Sequence, residues 1–296
     1  MSFRLKTLYK ISSHPLTRKS PLAALKRYFL FHLSQRLFPY TQVYPWIGEL
    51  RLFVRKGWAG VVGNIYTGLY DFEEMSFILH YLKKDDLFAD IGANHGVYSL
   101  LAAGICQAQV ISIEPIPETF KQLNEQIHLN KLENLIKTHQ AGISSKPGQL
   151  YFSKQLGTMN HVVLDPHSPT DVLEVPVFTL DQLITGPAKV LKIDTEGFEL
   201  PALQGALNCL SNPALHAIII ELNGSGEKYG YTDQTTDQLL RSQGFAPYRY
   251  LPFERQLEPL KDWRKDQYNT LYIRHPENVL PVLQQTPKIQ LLNQAI

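Results

Sequence analysis

Little in this chain could staple it or carry it across a bilayer. Cysteine occurs twice, at Cys106 and Cys209, each inside an apolar helical pattern, so neither a disulfide framework nor a thiolate metal site is available. Both read as small buried hydrophobes in a reducing compartment. No uninterrupted apolar run approaches the roughly 20 residues a membrane helix needs. The early patch Phe29-Leu30-Phe31 is broken by His32 and lacks the small-residue cleavage pattern of a secretory leader. A cytoplasmic location is therefore expected. Acidic residues are missing before Glu49, a stretch that holds Arg4, Lys6, Lys10, Arg18, Lys19, Lys26, Arg27 and Arg36. The third glycine of a dinucleotide fingerprint is missing too. Where GxGxxG would stand, the chain reads Asp90-Ile91-Gly92-Ala93-Asn94-His95-Gly96, which removes the pyrophosphate cradle and disfavours a nicotinamide oxidoreductase.

What remains is informative. The 296 residues, 44% hydrophobic and 19% charged, suffice for one catalytic domain with appendages. The glycine turn sits between the apolar run Leu87-Phe88-Ala89 and a helical pattern opening at Val97, and Glu114 closes the next apolar run, Val110-Ile111-Ser112-Ile113. That is the outline of a nucleoside-binding βαβ unit. Asp90 would repel a pyrophosphate, but its charge suits a ligand carrying an ammonium or a sulfonium, and S-adenosylmethionine carries both. Gly92, Asn94 and Gly96 then form the cofactor turn, and Glu114 accepts hydrogen bonds from the ribose hydroxyls. Ala141 and Gly142, small residues after the third strand, would suit an adenine face.

The pattern predicts an α/β fold: a Rossmann-like, seven-stranded, mostly parallel sheet with helices on both faces, an antiparallel edge pair and a basic N-terminal helical arm. Residues 1–48 form the arm, with a helix from Pro21 whose Leu22, Leu25, Phe29 and Leu33 recur at helical spacing. Residues 49–275 form the catalytic domain. Within it, 49–82 contribute two leading strands, 50–54 and 60–66, and a helix over 72–82, and 83–275 build the main sheet. Further expectations are helices over 118–129 and 200–210, a hairpin around Lys146-Pro147-Gly148, and terminal strands at 248–250 and 271–273 that pair antiparallel. Residues 276–296 read as a weakly structured tail.

In an open parallel sheet, ligands bind beyond the carboxyl ends of the strands. Asp194 and Glu196 follow the fourth strand, and Glu221 and Asn223 follow the fifth. Such groups can orient an acceptor, take its proton, or hold a divalent cation through Asp194, Glu221 and Asn223. The oxygens suffice for a metal without requiring one. Glu199 is explained by the helix dipole alone.

The runs Asp90-Ile-Gly-Ala-Asn-His-Gly-Val-Tyr-Ser99, Ile113-Glu-Pro115 and Lys192-Ile-Asp-Thr-Glu-Gly-Phe-Glu199, with Glu221, resemble the landmarks of FkbM-type methyltransferases over roughly residues 60 to 275. The resemblance implies S-adenosylmethionine-dependent methyl transfer, usually to a hydroxyl oxygen, on a seven-stranded sheet. It also makes His161, in Met159-Asn160-His161, a candidate proton acceptor, because the family carries an Asn-His pair there. The expected acceptor is a hydroxyl on a sugar, glycan, glycolipid or secondary metabolite. A nucleic-acid methyltransferase is disfavoured: no Asn/Asp-Pro-Pro-aromatic run follows the fourth strand, and neither cysteine follows a proline. A non-catalytic nucleotide-binding protein would have no need of Asp90, Glu114 and Asp194 together. The basic arm suits either peripheral contact with anionic lipid or a helix packed on the catalytic domain, and its aromatic density favours the second.

Overall fold

The computed structural model describes residues 3–153, 161–163, 172–265 and 267–296. Two helices, α1 (Phe3–Ser13) and α2 (Pro21–Leu37), form the arm. Pro21 sits in the first turn of α2, where its missing N–H costs nothing. α2 carries apolar side chains all round, interspersed with polar ones, so periodicity alone cannot choose its inner face. The face that packs carries Ala24, Phe31 and Gln35, whereas Leu22, Phe29 and Leu33 of the apolar spacing are exposed and only Leu25 packs against the core.

The strands β1 (Gln42–Pro45) and β2 (Arg51–Val54) pair antiparallel. The second leading strand expected at 60–66 is instead the helix α3 (Ala59–Thr67). Its valines and isoleucine suit a strand, but β2 already has a partner in 42–45. Gly63 lies under the Tyr70 ring, where a β-carbon would stand 2.4 Å away. α4 (Phe72–Tyr81) follows, buried on every side.

Strand, helix and strand then alternate: β3 (Leu87–Ile91), α5 (Val97–Gly104), β4 (Gln109–Ile113), α6 (Pro117–Leu129) and β5 (Ile136–His139). A second sheet is built from β6 (Gly142–Ile143), β7 (Gly148–Ser153), β8 (Val162–Val163) and β9 (Val172–Phe178), in the order β6-β9-β7-β8. The hairpin expected around residues 146–148 is not made, because β6 and β7 both pair with β9. After α7 (Leu180–Leu183) and β10 (Ala188–Ile193), the helix expected over 200–210 is two short ones, α8 (Glu199–Gln204) and α9 (Leu207–Ser211). Between them Gly205 meets the Ser144 carbonyl so closely that a β-carbon would be 2.3 Å from its oxygen.

The chain closes with β11 (Ala217–Glu221), α10 (Asp233–Ser242), β12 (Ala246–Leu251), β13 (Gln256–Pro259), β14 (Asn269–Ile273), α11 (Pro276–Gln285), β15 (Gln290–Leu291) and β16 (Gln294–Ala295). The last three elements replace the weakly structured tail, held by Arg255, which donates to the carbonyls of Leu283, Thr286 and Ile296.

The main sheet has eight strands, not seven, in the order β13-β12-β14-β11-β10-β3-β4-β5. β14 pairs antiparallel with β12 as expected, yet it wedges between β12 and β11 instead of lying at the edge. The additional strand, β13, reads Gln-Leu-Glu-Pro, a polar sequence that suits a half-solvated edge and leaves no apolar signal. Alternate residues along β3 feed separate cores: Phe88 joins one cluster, Ala89 and Ile91 the other. Both faces are therefore covered, as a parallel sheet requires. Among the described residues no helix is long and apolar enough to cross a membrane.

Candidate functional site

The chain reverses its direction of sheet growth at β3, which lies between β4 and β10. The connections leave to opposite sides there, opening a cleft beyond the carboxyl ends. That cleft is lined by Gly92 and Asn94 after β3, Glu114 to Ile116 and Thr119 after β4, Ala141 to Ile143 after β5, Asp194 to Glu196 and Phe198 after β10, and Glu221 at the end of β11. The second sheet adds Phe152 and Val162 as an apolar wall.

Gly92 makes the turn possible. Its φ is +74°, and a β-carbon would fall 1.8 Å from the Asp194 carbonyl oxygen. The same closeness aligns the two strand ends, since the Asp194 amide donates to the Ile91 carbonyl at 3.0 Å. Glu114 holds the turn from the other side: its carboxylate accepts the Asn94 amide at 3.0 Å and the Ile116 amide at 3.1 Å. Burial lifts its pKa to about 7, against the lowering effect of those amides.

Asp90 is placed differently from the expectation of a direct ligand neighbour. It is buried beneath the turn, not among the side chains lining the cleft, and Oδ2 accepts from the Ser99 amide at 3.2 Å and hydroxyl at 2.6 Å. Its Oδ1 is buried with no hydrogen-bond partner among the described residues. Gly96 likewise lies off the cleft and starts α5 with φ +78°.

Asp194, Glu196 and Glu221 place carboxylate oxygens within 4.8 Å of one another. The pKa of Glu221 rises to about 9 and that of Glu196 to about 7, through burial first and the neighbouring carboxylates second. Asn223 is exposed and is not among the side chains lining the cleft, and its Oδ1 accepts the Ser225 amide at 2.9 Å. Glu199 is structural as expected, accepting the amides of Thr195 and Gly197.

His161 immediately precedes β8; its amide donates to the Ser153 hydroxyl at 3.1 Å and its carbonyl accepts the Ser153 amide at 3.0 Å. It adjoins Val162 in the cleft wall, while Asn160 lies outside the described residues. His95 is buried against Trp58, ring centroids 4.6 Å apart.

Sequence reasoning assigned no role to Lys192. Its buried ammonium donates to Asp194 Oδ2 at 2.9 Å and lies 5.1 Å from the Tyr98 ring centroid. Burial alone would lower its pKa, but Asp194 and Asp90 hold it above the ordinary lysine range. Register explains the pair: Lys192 lies opposite Asp90 on adjacent strands, and Asp194, two residues on, shares its face. A lysine enclosed by Val190, Leu191 and Ile193, at the carboxyl end of the strand, was the available signal.

A family model described as the methyltransferase FkbM domain matches residues 90–247. The hexuronic acid methyltransferase AglP of Haloferax volcanii is 25% identical over 172 residues, 56% of this chain and 68% of that protein. A tRNA(Phe) (4-demethylwyosine(37)-C(7)) aminocarboxypropyltransferase of Pyrococcus horikoshii is 42% identical over 67 residues, 23% of this chain and 24% of that protein. The crystal structure of methyltransferase FkbM from Methylobacillus flagellatus aligns with 72% of this chain and 52% of its own, at 16% identity and a TM-score of 0.44. This chain thus spans about half the length of that protein. The match at 90–247 runs from the buried Asp90 through the glycine turn and all three clustered carboxylates to β12, and on it the chain belongs to the FkbM methyltransferase family, enzymes that use S-adenosylmethionine as methyl donor.

Proposed function

We propose that this enzyme methylates a hydroxyl oxygen on a sugar, free or carried on a glycan or lipid. The observation that carries the reading is the convergence of Glu114 and the carboxylates of Asp194, Glu196 and Glu221 on one cleft. The donor set fits the methyl donor. Gly92 and Gly142 line the cleft, Phe152 and Ile143 offer apolar contact to a base, and Glu114 retains lone pairs for two ribose hydroxyls. The excess of carboxylate over ammonium favours a cation.

When bound, S-adenosylmethionine supplies an electrophilic methyl group on a sulfonium. Most of the protein's contribution is alignment of the acceptor oxygen with that methyl group. Asp194, fixed by Lys192, accepts a hydrogen bond from the acceptor hydroxyl and orients it. Glu196 and Glu221, at the rim of the same cleft, hold neighbouring hydroxyls, and His161 or Asp194 takes the proton as the oxygen gains its methyl. Support for the sugar comes from the name of the Haloferax relative, a hexuronic acid methyltransferase, and from the polar, hydroxyl-binding character of the carboxylate rim.

The test is transfer of a tritiated methyl group from S-adenosylmethionine to separated pools of uronic acids, glycolipids and RNA. Label in a sugar-containing pool that survives mild alkali, as an ether does and an ester does not, supports the reading. Label confined to RNA, or to an alkali-labile ester, replaces it.

A further inference from the structure

We propose that α2 docks this protein on an anionic lipid surface, lying along the headgroup plane instead of crossing it. The helix has two apolar sides. One is used by the fold: Ala24, Phe31 and Gln35 are buried, and Tyr28 and Phe31 meet the Tyr66 ring of α3 edge-on at 5.1 and 5.7 Å. Arg27 fixes the same face by donating to the Tyr66 carbonyl at 2.8 and 3.1 Å. On the opposite side Leu22, Phe29, Leu30, Leu33 and Leu37 are 80%, 57%, 53%, 54% and 63% exposed. With 3.6 residues per turn these five fall in one stripe roughly 100° wide. A helix face meant only for water would carry mainly charged and amide side chains, so four leucines and a phenylalanine exposed in one stripe point to a partner.

Charge selects that partner. Lys26 falls within the stripe and Arg36 at its margin, both exposed, and Lys6, Lys10, Arg18 and Lys19 add exposed positive charge nearby in the chain. No acidic residue offsets them before Glu49. A second copy of this face would oppose the same positive field to itself. A nucleic acid would meet the lysines but leave four leucines in water. An anionic bilayer satisfies both components: the leucines and Phe29 enter the acyl boundary, while lysine and arginine stems run along the apolar face and deliver their charges to phosphates. Contact of this kind rests on the arm alone and does not depend on what the catalytic cleft methylates.

The experiment is co-sedimentation of the full chain with phosphatidylcholine vesicles, with and without phosphatidylglycerol. Partitioning about tenfold stronger onto the anionic vesicles, weakened by salt and lost in Leu30→Glu/Leu33→Glu, is expected. Both positions are exposed, so the double variant keeps the wild-type melting temperature and S-adenosylmethionine affinity. Lys19→Glu/Lys26→Glu lowers binding to the anionic vesicles only. Equal partitioning onto both vesicle types overturns the proposal. A soluble dimer that Leu33→Glu dissociates, or retention of the arm by RNA in preference to vesicles, also overturns it, assigning the stripe to a second copy or a polyanion.

Discussion

Gly92 and Asp194 meet back to back where the two halves of the sheet part: the Asp194 carbonyl oxygen occupies the place a β-carbon on residue 92 would need. One contact therefore sets both the glycine turn and the direction in which the chain leaves β10 toward Asp194 and Glu196. Gly92→Ala is expected to be far worse than an ordinary glycine substitution, since it combines a positive φ with a 1.8 Å overlap against backbone. S-adenosylhomocysteine binding should be lost by calorimetry, with a lower urea midpoint. Near-wild-type affinity would show that the two strand ends do not have to touch.

Glu114→Gln should leave the sheet intact but replace a charged acceptor with a neutral amide between two backbone N–H groups and a ribose. Loss of one charge-assisted hydrogen bond is worth about 1.5–3 kcal/mol, or roughly a 10- to 150-fold rise in the dissociation constant for S-adenosylhomocysteine. Unchanged affinity would place the ribose elsewhere.

Asp194→Asn tests the acceptor side. The rate at saturating donor should fall by about 10²- to 10⁴-fold, with donor affinity changed only a fewfold. The opposite split, weak donor binding with a normal rate, would assign Asp194 to the cofactor.

The carboxylates give a pH signature. Glu114 and Glu196 titrate at about 7 and Glu221 at about 9 in the ligand-free protein, all above the ordinary glutamate value. The folded protein binds protons that the unfolded chain has released, so these groups stabilise the fold at low pH, and that stability is lost as pH rises from about 4.5 through their folded values. A cation binds best once they ionise. The urea midpoint of the free protein should fall as pH rises from about 5 to about 8, while affinity for S-adenosylmethionine rises over the same range with proton release. A flat affinity profile in buffers of different ionisation enthalpy would remove the carboxylates from the donor site.

Away from the site, Glu73 accepts from Arg249 at 2.8 Å and from the buried Arg264 at 2.5 Å, tying α4 to β12 and to the segment before β14. Glu73→Ala removes this carboxylate from the buried Arg264 guanidinium, which Glu74 approaches only to 3.8 Å. Unfolding free energy should drop by about 3–5 kcal/mol with the rate per folded molecule preserved. A drop under about 1 kcal/mol would mean that solvent reaches Arg264.

Legibility differed by the range of the forces involved. The βαβ unit, Glu114 and the acidic strand ends were readable because the strand-end rule turns a position in sequence into a position in space. Asp90 was readable as part of the turn but not as a group beneath it, since which way a strand-end side chain points depends on the pleat and on Ser99, nine residues away. Residues 60–66 suit a strand by composition but form a helix, because β-branched content is only a local preference and the partner of β2 comes from upstream. Lys192 gained its meaning only from strands whose register brings Asp90 and Asp194 to the same face.

By itself the sequence determined the βαβ unit around residue 92, the glycine turn with its acids, and the one-signed charge of the arm, all of which follow from short-range pattern. Tertiary structure alone decided which side of α2 is covered, which carboxylates converge on the cleft and that β14 lies inside the sheet, because each of these depends on surfaces brought together from distant parts of the chain.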